Sequence, residues 1–319
     1  MSFSIETYEA RRLEGMVALY NAETAFEPHI APLDAETFEA LVAAKSYFDP
    51  TGLFVAVEKG EVVGWAHACV SGGTEPYHRP DLRAAHIRML LYPRERLDVG
   101  AALVSEATAW LKRSGLRELG AMHTKAGYPF YRGLWLGGEP MGGPAFPHVQ
   151  LAFAVGGYKL IEESIFMVAE LASAPPEAQA AATLEYRTFP AAMEREAMRE
   201  SWIGFKPMVI RATADGEDVG HIGWVVLPQV AARLGSPCVN IWTLGVREEH
   251  RRKGIGTALA SRALRRGYEL GARFASVGTQ LSNAPAHGTY AKLGFAPYCV
   301  MVGRTLSLDG VEEVDGEAG

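Results

Sequence analysis

The feature that most constrains this chain is that it can be laid over itself. The segment RERLDVGAALVSEATAWLKRSG, from Arg94, aligns without a gap on HRRKGIGTALASRALRRGYELG, from His250. Arg96 meets Arg252, Gly100 meets Gly256, Ala102-Leu103 meet Ala258-Leu259, and Gly115 meets Gly271. Ser105 and Ala107 meet Ser261 and Ala263. The same register carries into the strands that follow, from Arg117 and from Arg273. Such a repeat means one structural unit used twice. A length of 319 residues, above the usual single-domain size, agrees with it.

The element order repeats as well. In the first half, Arg12–Asn21 has helical spacing, and Leu53–Val57 and Val62–Val70 read as strands joined at Lys59-Gly60. Ala84–Leu91 reads as a strand, Val99–Lys112 as a helix closed by Gly115, and Arg117–His123 and Glu163–Leu171 as strands. In the second half, Thr183–Phe189 is strand-like and Ala191–Trp202 helical. Met208–Thr213 and Val219–Val226 form a hairpin across Asp215-Gly216, and Cys238–Val246 is a strand. Gly256–Glu269 is a helix closing at Gly271, followed by a strand Arg273–Gly278, a short helix Ala286–Leu293 and a strand Tyr298–Leu306. Between the halves, Ala172–Ala182 is Ala/Pro-rich without an apolar face and reads as a linker. Asp309–Gly319 reads as an acidic, frayed tail.

Composition narrows the partners. Hydrophobic residues at 48% and charged residues at 21% are those of a globular protein with material for two cores. A net charge of -6 argues against nucleic acid or an anionic membrane, and leans towards a cationic substrate. Cys69, Cys238 and Cys299 lie far apart with no histidine at ligand spacing, so they read as buried reduced thiols and no metal is expected. The start, MSFSIETYEARR, lacks the apolar run of a signal peptide, and no apolar run has membrane-spanning length. The expectation is a cytoplasmic protein, as a monomer or homodimer.

The strongest chemical signal is VREEHRRKGIGTALASRAL. A strand runs into a basic glycine turn and then into a helix, whose first N–H groups lack internal partners and favour an anion. Gly254 and Gly256 let a phosphate approach the backbone, and Arg251, Arg252 and Lys253 add positive charge. A solvated helix start is the plainer alternative. The Walker pattern is absent, and the dinucleotide fingerprint fails because its third glycine position is Leu259. What remains is R-x-x-G-x-G on Arg251, Gly254 and Gly256, followed by LSNAPAHGTYAKLGFAPY with Asn283, Ala286, Tyr290, Gly294 and Phe295. In this order the two motifs resemble the GNAT superfamily of N-acetyltransferases.

That resemblance covers about Thr183–Leu306 and implies a mixed α+β fold. Two tandem GNAT-like domains are expected, each a mostly antiparallel twisted sheet with a splayed central strand pair flanked by helices. Their bounds would be 1–171 for a degenerate copy and 183–308 for the acetyltransferase, joined by the linker 172–182 and followed by the tail 309–319. It implies acetyl-CoA as co-substrate, held by Arg251, Arg252, Lys253, Gly254, Ile255, Gly256 and Thr257, with Leu244 and Val246 against the pantetheine and Asn283 beside it. It implies Tyr290 as the acid that protonates the departing thiolate, and a small-molecule or peptide amine as acceptor. The strand VNIWTLGV has no carboxylate, and Glu248 and Glu249 lie beyond it, so no base is assigned. His221, His250 and His287 are candidates whose ordinary role is structural. Trp224 and Trp242 read as core or pocket wall.

The first half departs at each chemical position. Glu95 stands for Arg251, Asp98 for Gly254, Gly127 for Asn283 and Phe153 for Tyr290. Two carboxylates facing a diphosphate are unfavourable. This half also carries YPFYRGLWLGGEPMGGPAFPHVQ, which reads either as a lid or acceptor-site wall, or as a surface loop packed by its own aromatics. The functional expectation is an N-acetyltransferase acting through the second half. The alternatives are a non-catalytic acyl-CoA-binding or regulatory protein, and a structural scaffold.

Overall fold

The computed structural model describes residues 2–71, 84–122, 130–136, 146–180, 185–190, 202 and 204–309. The first half runs β1 (Ser4–Thr7), α1 (Leu13–Thr24), α2 (Ala35–Phe38), β2 (Leu53–Glu58), β3 (Glu61–Ser71), β4 (Ala84–Leu91), α3 (Leu97–Lys112), β5 (Glu118–Ala121), α4 (Pro147–Val155) and β6 (Lys159–Glu170). The second runs β7 (Glu185–Pro190), β8 (Met208–Ala214), β9 (Glu217–Leu227), α5 (Ala231–Leu234), β10 (Cys238–Val246), α6 (Ile255–Glu269), β11 (Phe274–Gln280), α7 (Ala284–Lys292) and β12 (Ala296–Ser307). The strands and helices expected in these regions are present with ends shifted by a few residues. The helix expected at Ala191–Trp202 lies outside the described residues, apart from Trp202.

Both expected hairpin turns form. Lys59 and Gly60 have φ of 51° and 91°, and Asp215 and Gly216 have 52° and 82°. Positive φ at both central positions matches the twist of the flanking strands, which is why Lys-Gly and Asp-Gly close them.

The described strands form one mixed sheet in the order β1-β2-β3-β4-β5-β12-β6-β11-β10-β9-β8-β7. Only β4–β5 and β10–β11 pair in parallel. The order is palindromic: each strand of one half mirrors its counterpart in the other. At the centre the last strands are exchanged. β6, from the first half, pairs with β11, while β12 pairs with β5, and the two pair with each other. The sequence halves therefore do not part at the sheet.

Side chains alternate across this sheet. In the second half, Ile222, Trp224, Val239 and Ile241 pack with Leu259 and Leu264 of α6. The opposite face, with Val225, Leu227 and Cys238, joins the core of the first half. The aromatic insertion lies in that seam, which corrects the readings of it as a lid and as a self-packed surface loop for the described residues. Phe130, Tyr131, Leu134, Trp135 and Leu136 are buried. The Leu136 carbonyl accepts from Asn240 Nδ2 at 2.9 Å and Ser276 Oγ at 2.8 Å, and Trp135 packs on Phe166 with ring centroids 4.4 Å apart. It is neither an exposed lid nor a self-packed surface loop, because its carbonyl and rings are used by β10, β11 and β6. Residues 137–145 lie outside the described set.

The described part of the connection, through residue 180, is coil docked on α6. Ser261 Oγ donates to the Pro176 carbonyl, and Arg262 pairs with Glu177 at 2.5 Å. All three cysteines are buried and none is in a disulfide.

Candidate active site

Parallel pairing of β10 with β11 covers only Cys238–Ile241 against Phe274–Val277. Beyond it the strands diverge, and on its other edge β10 is bulged against β9 between Ile241 and Thr243. A bulge bends its strand and raises the local twist. The gap opens into a cleft of about 470 Å³ bounded by Trp242, Leu244, Val246, Gly278, Asn283 and Tyr290, among others. It runs into a second space of about 710 Å³ at the start of α6, lined by Arg251, Arg252, Gly254, Thr257, Gly288 and Lys292, among others. Val246, Arg251, Gly256, Pro285 and Thr289 line both, so the two form one groove.

The turn that leads into α6 is strained. Arg252 sits at φ 62° and Gly254, the residue before the helix, at φ 80°. No side chain caps α6, so the N–H groups of Ile255, Gly256 and Thr257 have no helical partner. Arg251, Arg252 and Lys253 are exposed, and Arg251 Nε holds the turn by donating to the Val246 carbonyl at 3.2 Å. Ile255 buries its side chain and offers the groove only its backbone. A methyl group at Gly256 would lie 3.7 Å from Val246 and 3.9 Å from Leu244, so the backbone there is open. The groove brings together each residue expected to hold the co-substrate or act as acid except Lys253, and leaves His221, His287 and Trp224 outside its lining.

On the other wall, Asn283 Oδ1 accepts from Ala286 N at 3.4 Å and its Nδ2 donates to Thr279 Oγ1 at 3.1 Å. It thereby ties the end of β11 to the start of α7. Tyr290 is buried against Phe295, with ring centroids 5.6 Å apart, and its hydroxyl has no protein partner among the described residues. Burial pushes its pKa up to about 12, so it keeps its proton at neutral pH.

Among the described residues no carboxylate lines the groove. The His221 ring lies against Gly245, and burial with the nearby Arg211 lowers its pKa. His250 lines the outer space, and His287 contacts the Gln280 carbonyl at 3.1 Å. The single buried carboxylate among the described residues, Glu27, carries no sequence signal. It accepts from the backbone N–H of His29 at 3.0 Å and from the Tyr298 hydroxyl at 2.5 Å, and its Oε1 lies 3.0 Å from His29 Nδ1. Burial pushes its pKa up, but these hydrogen bonds outweigh it and the carboxyl ends below its ordinary value. Its partner Tyr298 belongs to β12, so Glu27 bridges the sequence halves.

The first half shows the same groove closed. A methyl group at Gly100 would lie 2.3 Å from the Tyr92 ring. Tyr92 is fully buried and donates its hydroxyl to the His148 carbonyl of α4. Phe153, opposite Tyr290, is buried against Tyr158. Asp98 pairs with Arg96 at 3.0 Å, and Gly127 lies outside the described residues. Eight positions separate Tyr92 from Gly100, whereas ten separate Val246 from Gly256. The shorter turn and the tyrosine ring together fill the space.

The family model of the acetyltransferase (GNAT) family matches residues 176–295. A mycothiol acetyltransferase of Saccharomonospora viridis is 33% identical over 102 residues, which is 32% of this chain and 33% of that protein. The match thus spans about a third of that relative's length. A tandem GNAT protein from the clavulanic acid biosynthesis pathway superposes with a TM-score of 0.69 at 17% identity, covering 97% of this chain and 100% of the other. A GCN5-related N-acetyltransferase from Sphaerobacter thermophilus superposes with a TM-score of 0.65 at 16% identity, covering 96% of both. At these identities the superpositions speak to fold alone. Residues 176–295 are thus similar to the acetyltransferase (GNAT) family, in a chain whose fold is that of a tandem GNAT protein.

Proposed function

We propose that the chain is an acetyl-CoA-dependent N-acetyltransferase that acylates the amine of a small molecule or peptide through its second half. The observation that carries this is the contrast between two grooves on one plan. The second is open beside an uncapped helix start rich in cations, and the first is filled by Tyr92. The free N–H groups of residues 255–257, with Arg251 and Arg252 lining the groove and Lys253 nearby, suit a diphosphate. Leu244 and Val246 would flank the pantetheine arm, and an N–H of β10 would polarise the thioester carbonyl. Tyr290, kept protonated by burial, has its hydroxyl free to donate to the leaving thiolate. Asn283 holds the wall on which Tyr290 stands.

An ammonium must lose its proton before it attacks. We assign that role to His221, whose ring lies against Gly245 on the β9 edge of β10 and whose lowered pKa keeps it neutral. The lack of a carboxylate among the described lining residues favours a second reading, an acyl-CoA-binding protein without turnover.

Calorimetry with acetyl-CoA on the wild type and on Gly254→Asp tests the binding step. Loss of binding in the variant is expected, and equal affinity removes the claim. Release of CoA thiol with any member of an amine panel rules out the non-catalytic reading.

A further inference from the structure

An indole on the floor of the groove remains without a task. Trp242 is 39% exposed although it lies in the middle of β10, whose neighbour Ile241 is buried. Three features hold it there. The bulge between Ile241 and Thr243 turns it out of register. Gly223 on β9 provides the seat, since a methyl group there would lie 2.4 Å from the indole. Trp202 backs it, with ring centroids 5.8 Å apart, and Arg132 from the first half lies 3.8 Å from the Trp202 ring. The side chain is therefore fixed in place while one surface stays open to the cleft.

The face it occupies is the one away from the diphosphate turn. Leu244 pairs with Ile222 on the side packed by α6, whereas Trp242 rests on Gly223, which lies on the opposite side. The groove around it lacks carboxylates among the described residues. An aromatic group entering here would gain a stacking surface on the indole.

We propose that Trp242 is the platform for the acceptor and that the acceptor is an arylalkylamine, its ring on the indole and its nitrogen at the splay. This rests on the acetyl-transfer reading. In the step, the free amine forms the amide C–N bond as the thioester C–S bond breaks. The proton lost by the ammonium leaves through the base, the nitrogen sheds a second proton as the amide forms, and that proton replaces the one the acid gives to the thiolate.

The test is thiol release from acetyl-CoA by the full chain, with 2-phenylethylamine and glucosamine as paired acceptors. The wild type should favour 2-phenylethylamine in kcat/KM by at least about tenfold. Trp242→Ala should lower kcat/KM for that amine by about tenfold or more and collapse its preference over glucosamine, while Trp242→Phe retains most of the preference. Acetyl-CoA affinity, measured by calorimetry, should be the same in all three proteins and shows that the variants are folded. Equal use of both amines by the wild type, or an equal loss for both in Trp242→Ala, overturns the inference and spares the transfer reading. Acetyl-CoA binding without thiol release from any amine overturns both.

Discussion

Gly100 and Gly256 occupy the same place on the two long helices, and one methyl group should have opposite effects at the two. At Gly100 the new carbon would lie 2.3, 2.3 and 2.8 Å from three atoms of the Tyr92 ring. Normal contact would require the ring to move by more than an ångström. It cannot swing freely, because it is fully buried and its hydroxyl is bonded to the His148 carbonyl. Overpacking of this kind costs roughly 1–3 kcal/mol, and the short distances place it in the upper part of that range. Replacing a helical glycine by alanine returns up to about 1 kcal/mol. The net loss for Gly100→Ala is about 1–2 kcal/mol, or a fall of roughly 2–8 °C in melting temperature. At Gly256 the nearest atoms are at 3.7 and 3.9 Å, so only the helix term remains and Gly256→Ala should be neutral or up to about 1 kcal/mol more stable. Calorimetric melting of the ligand-free proteins reads both. If Gly100→Ala is as stable as Gly256→Ala, Tyr92 does not fill the first groove and the contrast that carries the proposed function is lost.

Three more outcomes follow from the site and the seam. Tyr290→Phe should lower kcat by about 10²-fold with acetyl-CoA affinity unchanged, as expected for a proton donor; unchanged turnover removes that role. His221→Gln should lower kcat/KM by 10²- to about 10⁴-fold and abolish the acidic limb of its pH profile, which should lie below the ordinary histidine range. Retention of more than a tenth of the activity excludes it as base. Glu27 has a folded pKa below its ordinary value, so its stabilisation is present above the unfolded carboxylate pKa and lost as pH falls through the folded one. Glu27→Gln should therefore be less stable at neutral pH, with the gap to wild type closing in acid. Parallel curves across that range contradict the assignment.

The extent to which the sequence was legible follows from how local each signal is. The hairpins at Lys59-Gly60 and Asp215-Gly216 and the strand Cys238–Val246 depend on turn chemistry and alternation, which neighbouring residues carry. So does the glycine turn before α6, because a helix start with free N–H groups is made by adjacent residues. The lid and surface-loop readings of the insertion failed because aromatic-rich glycine segments pack equally well on a surface or in a seam. Only the long-range bonds from Asn240 and Ser276 to Leu136 decide which.

Alone, the amino-acid sequence determined that one unit occurs twice and that the second copy kept a cationic glycine turn where the first has Glu95 and Asp98. The tertiary structure decided the rest. It exchanged β6 and β12 between the halves, closed the first groove with Tyr92, and placed Glu27 against Tyr298. The reason is physical. Ladder hydrogen bonds are made by backbone groups common to nearly all residues, so a strand's pattern fixes its faces but not its neighbour. Which neighbour it takes, and which ring fills a gap, depends on packing between residues far apart in the chain.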